Sequence, residues 1–141
     1  MQRLQDIAVV VASSDHPPLN HHNANPILHE IFHALSRYAQ DGICTTIDLH
    51  AIPFGPGDEQ ILLDFLGRGE VDITLRSLGE SRIWESAFSG IWVVDHRNAE
   101  NESVALQVEI GRIPEIVQAQ TEDVLDALER LQDRLEVRDP A

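Results

Sequence analysis

"EVDITLRSLGESRIWESAFSGIWVVDHRNAENESVALQVEI", residues 70–110, decides the fold. At its start Val71, Ile73 and Leu75 alternate with Asp72, Thr74 and Arg76, the period of two that marks a strand with one apolar face. "SRIWESAF", "SGIWVVDH" and "SVALQVEI" follow, separated by clusters of Gly, Asn and Ser that read as turns. No helical stretch lies between these runs. Parallel pairing needs crossover helices, so consecutive short strands imply antiparallel pairing.

Upstream, Ile7–Ala12 reads as a short buried strand, and residues 13–26 as a polar loop rich in His, Pro and Asn. Asn25-Pro26 suits an N-cap followed by a first-turn proline. A helix is expected to about Gln40, with Ile27, Leu28, Ile31, Leu35 and Tyr38 on one face and Gly42 as a left-handed stop. Ile43, Thr45, Ile47 and Leu49 then alternate with Cys44, Thr46, Asp48 and His50, a further strand. Pro53 and Pro56 break the chain, Asp58 can cap a second helix to about Leu66, and Gly67 closes it. Downstream of Pro114 an amphipathic helix is expected over 121–136. Thr121 would cap it, Glu122 and Asp123 occupy its first turn, and Val124, Leu128, Leu131 and Leu135 share a face. That stripe would dock on the chain's own sheet, on a second copy or on a partner. The expected order is β-α-β-α-β-β-β-β-α. It is an α+β fold: a mostly antiparallel sheet of about five strands with two to three helices packed on one face, in a single domain over 1–141.

Composition narrows the chemistry. The chain has 141 residues, enough for one domain with a substantial core. One cysteine, Cys44, excludes an intramolecular disulfide or a multi-cysteine metal cage within the chain, and reads as a small core side chain. All ten basic residues are arginine. Without lysine there is no Walker-type phosphate lysine, no Schiff base and no pyridoxal attachment, and no cofactor is implied. A net charge of −14 disfavours nucleic acid and favours basic partners, or simply confers solubility. The apolar run at 7–12 is too short to cross a membrane, and Gln5 and Asp6 do not suit a signal peptide. The expectation is a soluble, cytoplasmic protein.

His29-Glu30-Ile31-Phe32-His33 spells the H-E-x-x-H of zinc hydrolases, in which two imidazoles one turn apart bind zinc and the glutamate activates its water. The extended motif would place Gly at 36 and His at 39, where this chain has Ser36 and Ala39. Glu59 is the nearest later carboxylate on a helix, but Pro53, Pro56 and a strand intervene. The apolar arc of the helix also turns His29 and His33 toward solvent. No catalytic set is expected, and a metal-binding protein or small zinc metallohydrolase using His29, Glu30 and His33 is kept as the alternative. Gly67-Arg68-Gly69 reads as a helix stop and turn, and Asp48 with His50 as a structural or exposed pair. Trp84 and Trp92 lie on neighbouring strands beside Arg82, Glu85 and Phe88. They either fill the core or anchor a recognition surface, since Trp and Arg dominate interfaces.

"GRGEVDITL" (67–75) followed by "ESRIWESAFSGIWVV" (80–94) resembles the C-terminal conserved domain of the hydrogenase expression/formation proteins of the HupH/HyaF/HoxQ type. "IDLHAIPFGPGDEQILLDFLG" (47–67) resembles it too, and the resemblance covers about residues 27–117. Its specific elements are Gly69-Glu70-Val71, Arg82-Ile83, Glu85 and Phe88-x-Gly90-x-Trp92. The resemblance implies a non-catalytic accessory protein, a chaperone in maturation of an uptake nickel–iron hydrogenase. Its implied partners are the small, iron–sulfur subunit precursor, whose export signal carries paired arginines, and other maturation proteins. The candidate contact surface is Glu70, Arg82, Trp84, Glu85 and Trp92. A free sheet edge or the terminal helix offers a route to a homo-oligomer. The resemblance implies a separate N-terminal region in fuller family members, which this shorter sequence is expected to lack.

Overall fold

A computed structural model describes residues 23–138. The expected strand at 7–12 and most of the His-rich loop lie outside the described residues. Two compact units divide the chain, the first running to Gly111 and the second starting at Arg112.

In the first unit, helix α1 (Ala24–Asp41) precedes strand β1 (Thr45–Asp48), a 3₁₀ turn (Leu49–Ala51) and helix α2 (Asp58–Leu66). Strands β2 (Asp72–Arg76), β3 (Glu80–Glu85), β4 (Ile91–Arg97) and β5 (Ser103–Ile110) then form a meander. The sheet order is β1-β5-β4-β3-β2 with every pairing antiparallel. This is the α+β architecture that the alternation in 70–110 predicts.

Several boundaries differ from the sequence reading, for local reasons. α1 starts after Asn23 rather than Asn25, with the Asn23 carboxamide donating to the Pro53 carbonyl instead of capping. Pro26 fits because first-turn amides have no intrahelical acceptor. Gly42 ends α1 as expected, at φ 72° with its N–H on the Tyr38 carbonyl at 2.9 Å. β1 begins only at Thr45, so Cys44 lies on the lead-in to an edge strand and is exposed, not a core side chain. Gly57, not Asp58, occupies the N-cap of α2; the buried Asp58 carboxylate accepts the Gly55 N–H at 2.8 Å and closes the preceding turn.

The core sits between one sheet face and the two helices. Ile31 and Ala34 of α1, with Leu62 and Leu66 of α2, pack on Ile47, Ile91, Val93, Leu106, Val108 and Ile110. Ile27, Leu28, Leu35 and Tyr38, the rest of the apolar arc of α1, lie against the same cluster. On the other face Ile83, Trp92 and Val94 are buried as well. β4 is therefore buried on both sides, which explains why Ile91–Val94 is a continuous apolar run rather than an alternating one.

In the second unit a 3₁₀ turn (Glu115–Val117) precedes helix α3 (Thr121–Arg138), two residues longer than expected. No residue of α3 is buried, and Val124, Leu128, Leu131 and Leu135 are each more than half exposed. Among the described residues, no helix is long and apolar enough to cross a membrane.

Candidate functional site

Strand register sorts the candidate residues. β3 pairs with β4 through Arg82↔Asp95, Trp84↔Val93 and Glu85↔Trp92, and directly opposed residues share a face. Arg82 and Trp84 therefore share the helix-bearing face with Val93. Glu85 and Trp92 point to the opposite face. Trp92 is 5% exposed and its indole N–H donates to the Gly111 carbonyl at 3.2 Å, so it is a core residue with its polar edge satisfied. Glu85 is half-buried, and Glu70 is exposed in the segment leading into β2. The structure thus brings together Arg82 and Trp84 and separates them from Glu85 and Trp92.

Beside α2 the helix-bearing face opens, over β3, β4 and β5, into a groove of about 770 Å³. Glu59, Leu63 and Asp64 of α2 form one wall, and Trp84, Arg82 and Arg97 contribute to the sheet side. Trp84 packs partly against the core, and Arg68 lies over its ring at 3.9 Å from the centroid. That geometry is a cation–π contact, and Arg68 also reaches Asp72 at 3.5 Å. Deeper in, Asp95 is held three ways. Arg97 donates to it through Nε at 3.0 Å and pairs through Nη2 at 2.9 Å, and the Ser103 hydroxyl donates at 2.7 Å. Arg97 Nη1 donates to the Asn101 carbonyl at 2.8 Å, which fixes its guanidinium. Arg82 stands between these sets on the exposed sheet surface and, among the described residues, makes no hydrogen bond or ion pair.

Such a groove offers an aromatic face, guanidinium donors and carboxylate acceptors side by side. Side chains of these kinds anchor many protein interfaces. Among the described residues, no three His, Cys, Asp or Glu side chains are grouped as metal ligands would be. His29 and His33 are exposed on the outer flank of α1, with His29 Nδ1 2.9 Å from the Asn25 carbonyl and His33 edge-on to Phe32. Asp48 accepts the His50 backbone N–H at 3.0 Å and caps the 3₁₀ turn, a structural task. Sequence reasoning missed Arg68, which looked like part of a turn, and the Asp95–Arg97–Ser103 cluster. The spacing Asp95-x-Arg97 on one strand was the available signal for the latter.

The residues that carry the sequence signature are mostly structural. Gly69 donates to the Glu85 carbonyl at 2.7 Å, and a Cβ there would lie 2.5 Å from the Ser86 carbonyl oxygen. Gly90 turns the β3–β4 connection at φ 91°, which favours glycine. The buried Ser86 hydroxyl braces that turn by accepting the Phe88 N–H at 3.0 Å.

Fold and groove define an open-faced α+β domain with a mixed-charge, Trp-lined recess. Residues 21–138 match the family model described as HupH hydrogenase expression protein, C-terminal conserved region. The chain belongs to this family. It is 34% identical over 79% of its length to the hydrogenase expression/formation protein HoxQ of Azotobacter vinelandii, and 32% identical over 79% to HupH of Rhizobium leguminosarum bv. viciae. The chain spans about 40% of the length of these curated relatives. A solved structure of the hydrogenase expression protein HupH from Thiobacillus denitrificans superposes with a TM-score of 0.76 at 40% identity, over 80% of this chain and 94% of that one.

Proposed function

We propose that this chain is a non-catalytic accessory protein in the maturation of an uptake nickel–iron hydrogenase, and that it binds the small, iron–sulfur subunit precursor. Membership of the HupH family supports the process, because the relatives are named as hydrogenase expression/formation proteins. The observation that carries the binding role is the unpaired Arg82 beside the Arg68–Trp84 stack in an open groove. An exposed guanidinium without an ion-pair partner is available to a ligand carbonyl or carboxylate, and the adjoining indole supplies desolvated contact area.

Groove and surface play different parts in this reading. Trp84 and Arg82 form the specific contact, while the acidic chain as a whole attracts the arginines of a basic export signal. Glu70 and Glu85 contribute charge at the margin, and Trp92 acts from within by packing in the core and bonding the Gly111 carbonyl. Co-purification of the chain with tagged small-subunit precursor tests the proposal. Arg82→Ala combined with Trp84→Ala should weaken capture by at least about tenfold, since central Trp and Arg truncations commonly cost that much or more. Capture equal to wild type by a folded double variant overturns the groove assignment.

A further inference from the structure

Three of the chain's four phenylalanines are on the surface, and they are together. Phe32 of α1 is 64% exposed, Phe65 of α2 is 61% exposed, and Phe88 of the β3–β4 turn is 43% exposed. Phe65 and Phe88 stack with ring centroids 6.1 Å apart. With Leu28, Leu35 and Ile91 they line a shallow apolar groove of about 130 Å³, separate from the Trp84 recess. Soluble proteins seldom leave a contiguous aromatic patch in water without a use for it.

The chain also carries an apolar surface of the matching kind. Val124, Leu128, Leu131 and Leu135 of α3 follow the 4-3-4 spacing of a helix that seats one stripe against a partner, and all four are more than half exposed. Helices in proteins draw most of their stability from packing of an apolar face. The flanks also complement each other. Along α3, Gln132 and Glu136 border one side of the stripe, and Arg134 and Arg138 the other. Beside the groove, α1 presents His29 and His33 next to Phe32, and α2 presents Asp64 next to Phe65. One orientation sets Gln132 and Glu136 against imidazole N–H donors and the arginines near Asp64.

We propose that α3 of one copy seats this stripe in the Phe32/Phe65/Phe88 groove of a second copy, and the reverse, closing a two-fold dimer. Each copy has one helix and one groove, so the exchange satisfies both and leaves neither free for a third copy. Pairing of two α3 helices with each other would leave the aromatic groove in water.

Sedimentation velocity over a concentration series of the full chain tests this, with circular dichroism to confirm folding. Wild type should sediment as a dimer. Phe65→Glu, and separately Leu128→Glu with Leu131→Glu, should each raise the dimer dissociation constant at least about tenfold. Phe32→Glu serves as a second groove variant on a different element. An equimolar mixture of the groove variant and the helix variant retains one intact helix and one intact groove. It should regain a heterodimer that neither forms alone. A monomeric wild type, as an unrelated partner for the groove would give, overturns the proposal. So does a dimer lost only in the helix variant, the signature of helix–helix pairing, or a mixture that fails to recover.

Discussion

Trp84 and Trp92 belong to one hairpin and look equivalent in the sequence, yet they take opposite faces of the sheet. Period-two alternation alone puts Arg82 and Trp84 on one face and Glu85 on the other. Which face Trp92 takes depends on the turn between β3 and β4, because one residue more or less there would flip it. The Ser86–Gly90 turn sets Glu85 opposite Trp92, and this fate could not be read without the register. The separation has a measurable consequence. Trp92→Ala removes a buried indole and its hydrogen bond and should cost about 3–5 kcal/mol in chemical denaturation. Arg82→Ala removes an exposed, unpaired side chain and should stay within about 0.5 kcal/mol of wild type. Equal losses in the two variants would show that Arg82 supports the fold and is not free for a ligand.

At the scale of elements, the strands of 70–110 were the most legible part, because each run is bounded by its own turn residues and three of the four alternate. Element ends were less legible. Asn23 and Asn25 are both plausible caps by residue type, and a tertiary bond to the Pro53 carbonyl involves the first. Cys44 reads as a strand residue, but pairing of β1 with β5 begins one residue later, at Thr45↔Ile110. Helix α1 shows what the pattern does decide: its apolar arc faces the core and leaves the H-E-x-x-H histidines outside. His29→Ala with His33→Ala should therefore leave monomer stability within about 0.5 kcal/mol. Ile31→Ala, two residues away on the buried face, should cost about 2–5 kcal/mol. Thermal and urea unfolding of the two variants, at a concentration low enough to exclude association, would decide. A large loss in the histidine pair would mean that the motif holds something together.

For the molecule as a whole, the balance of 24 acidic against ten basic residues acts on folding and on association in different ways. Ten arginines cannot compensate most of 24 carboxylates, and among the described residues the ion pairs Arg68–Asp72 and Arg76–Glu80 are exposed. Repulsion among the carboxylates opposes the compact state. Raising sodium chloride from roughly 20 to 300 mM shortens the screening length from about 20 Å to about 6 Å, which weakens repulsion over the surface. Unfolding temperature should then rise by a few degrees. Over the same range, capture of a precursor whose signal is basic should fall, because that attraction is screened too. The exchanged dimer should be least affected, since its apolar stripe and aromatic groove supply the contact and charges only flank it. A melting temperature and a dissociation constant for each interaction, measured at the same salt concentrations, separate these effects. If unfolding temperature fell with salt, attraction would outweigh repulsion on this surface, and the acidic balance could not be the source of long-range affinity for a basic client.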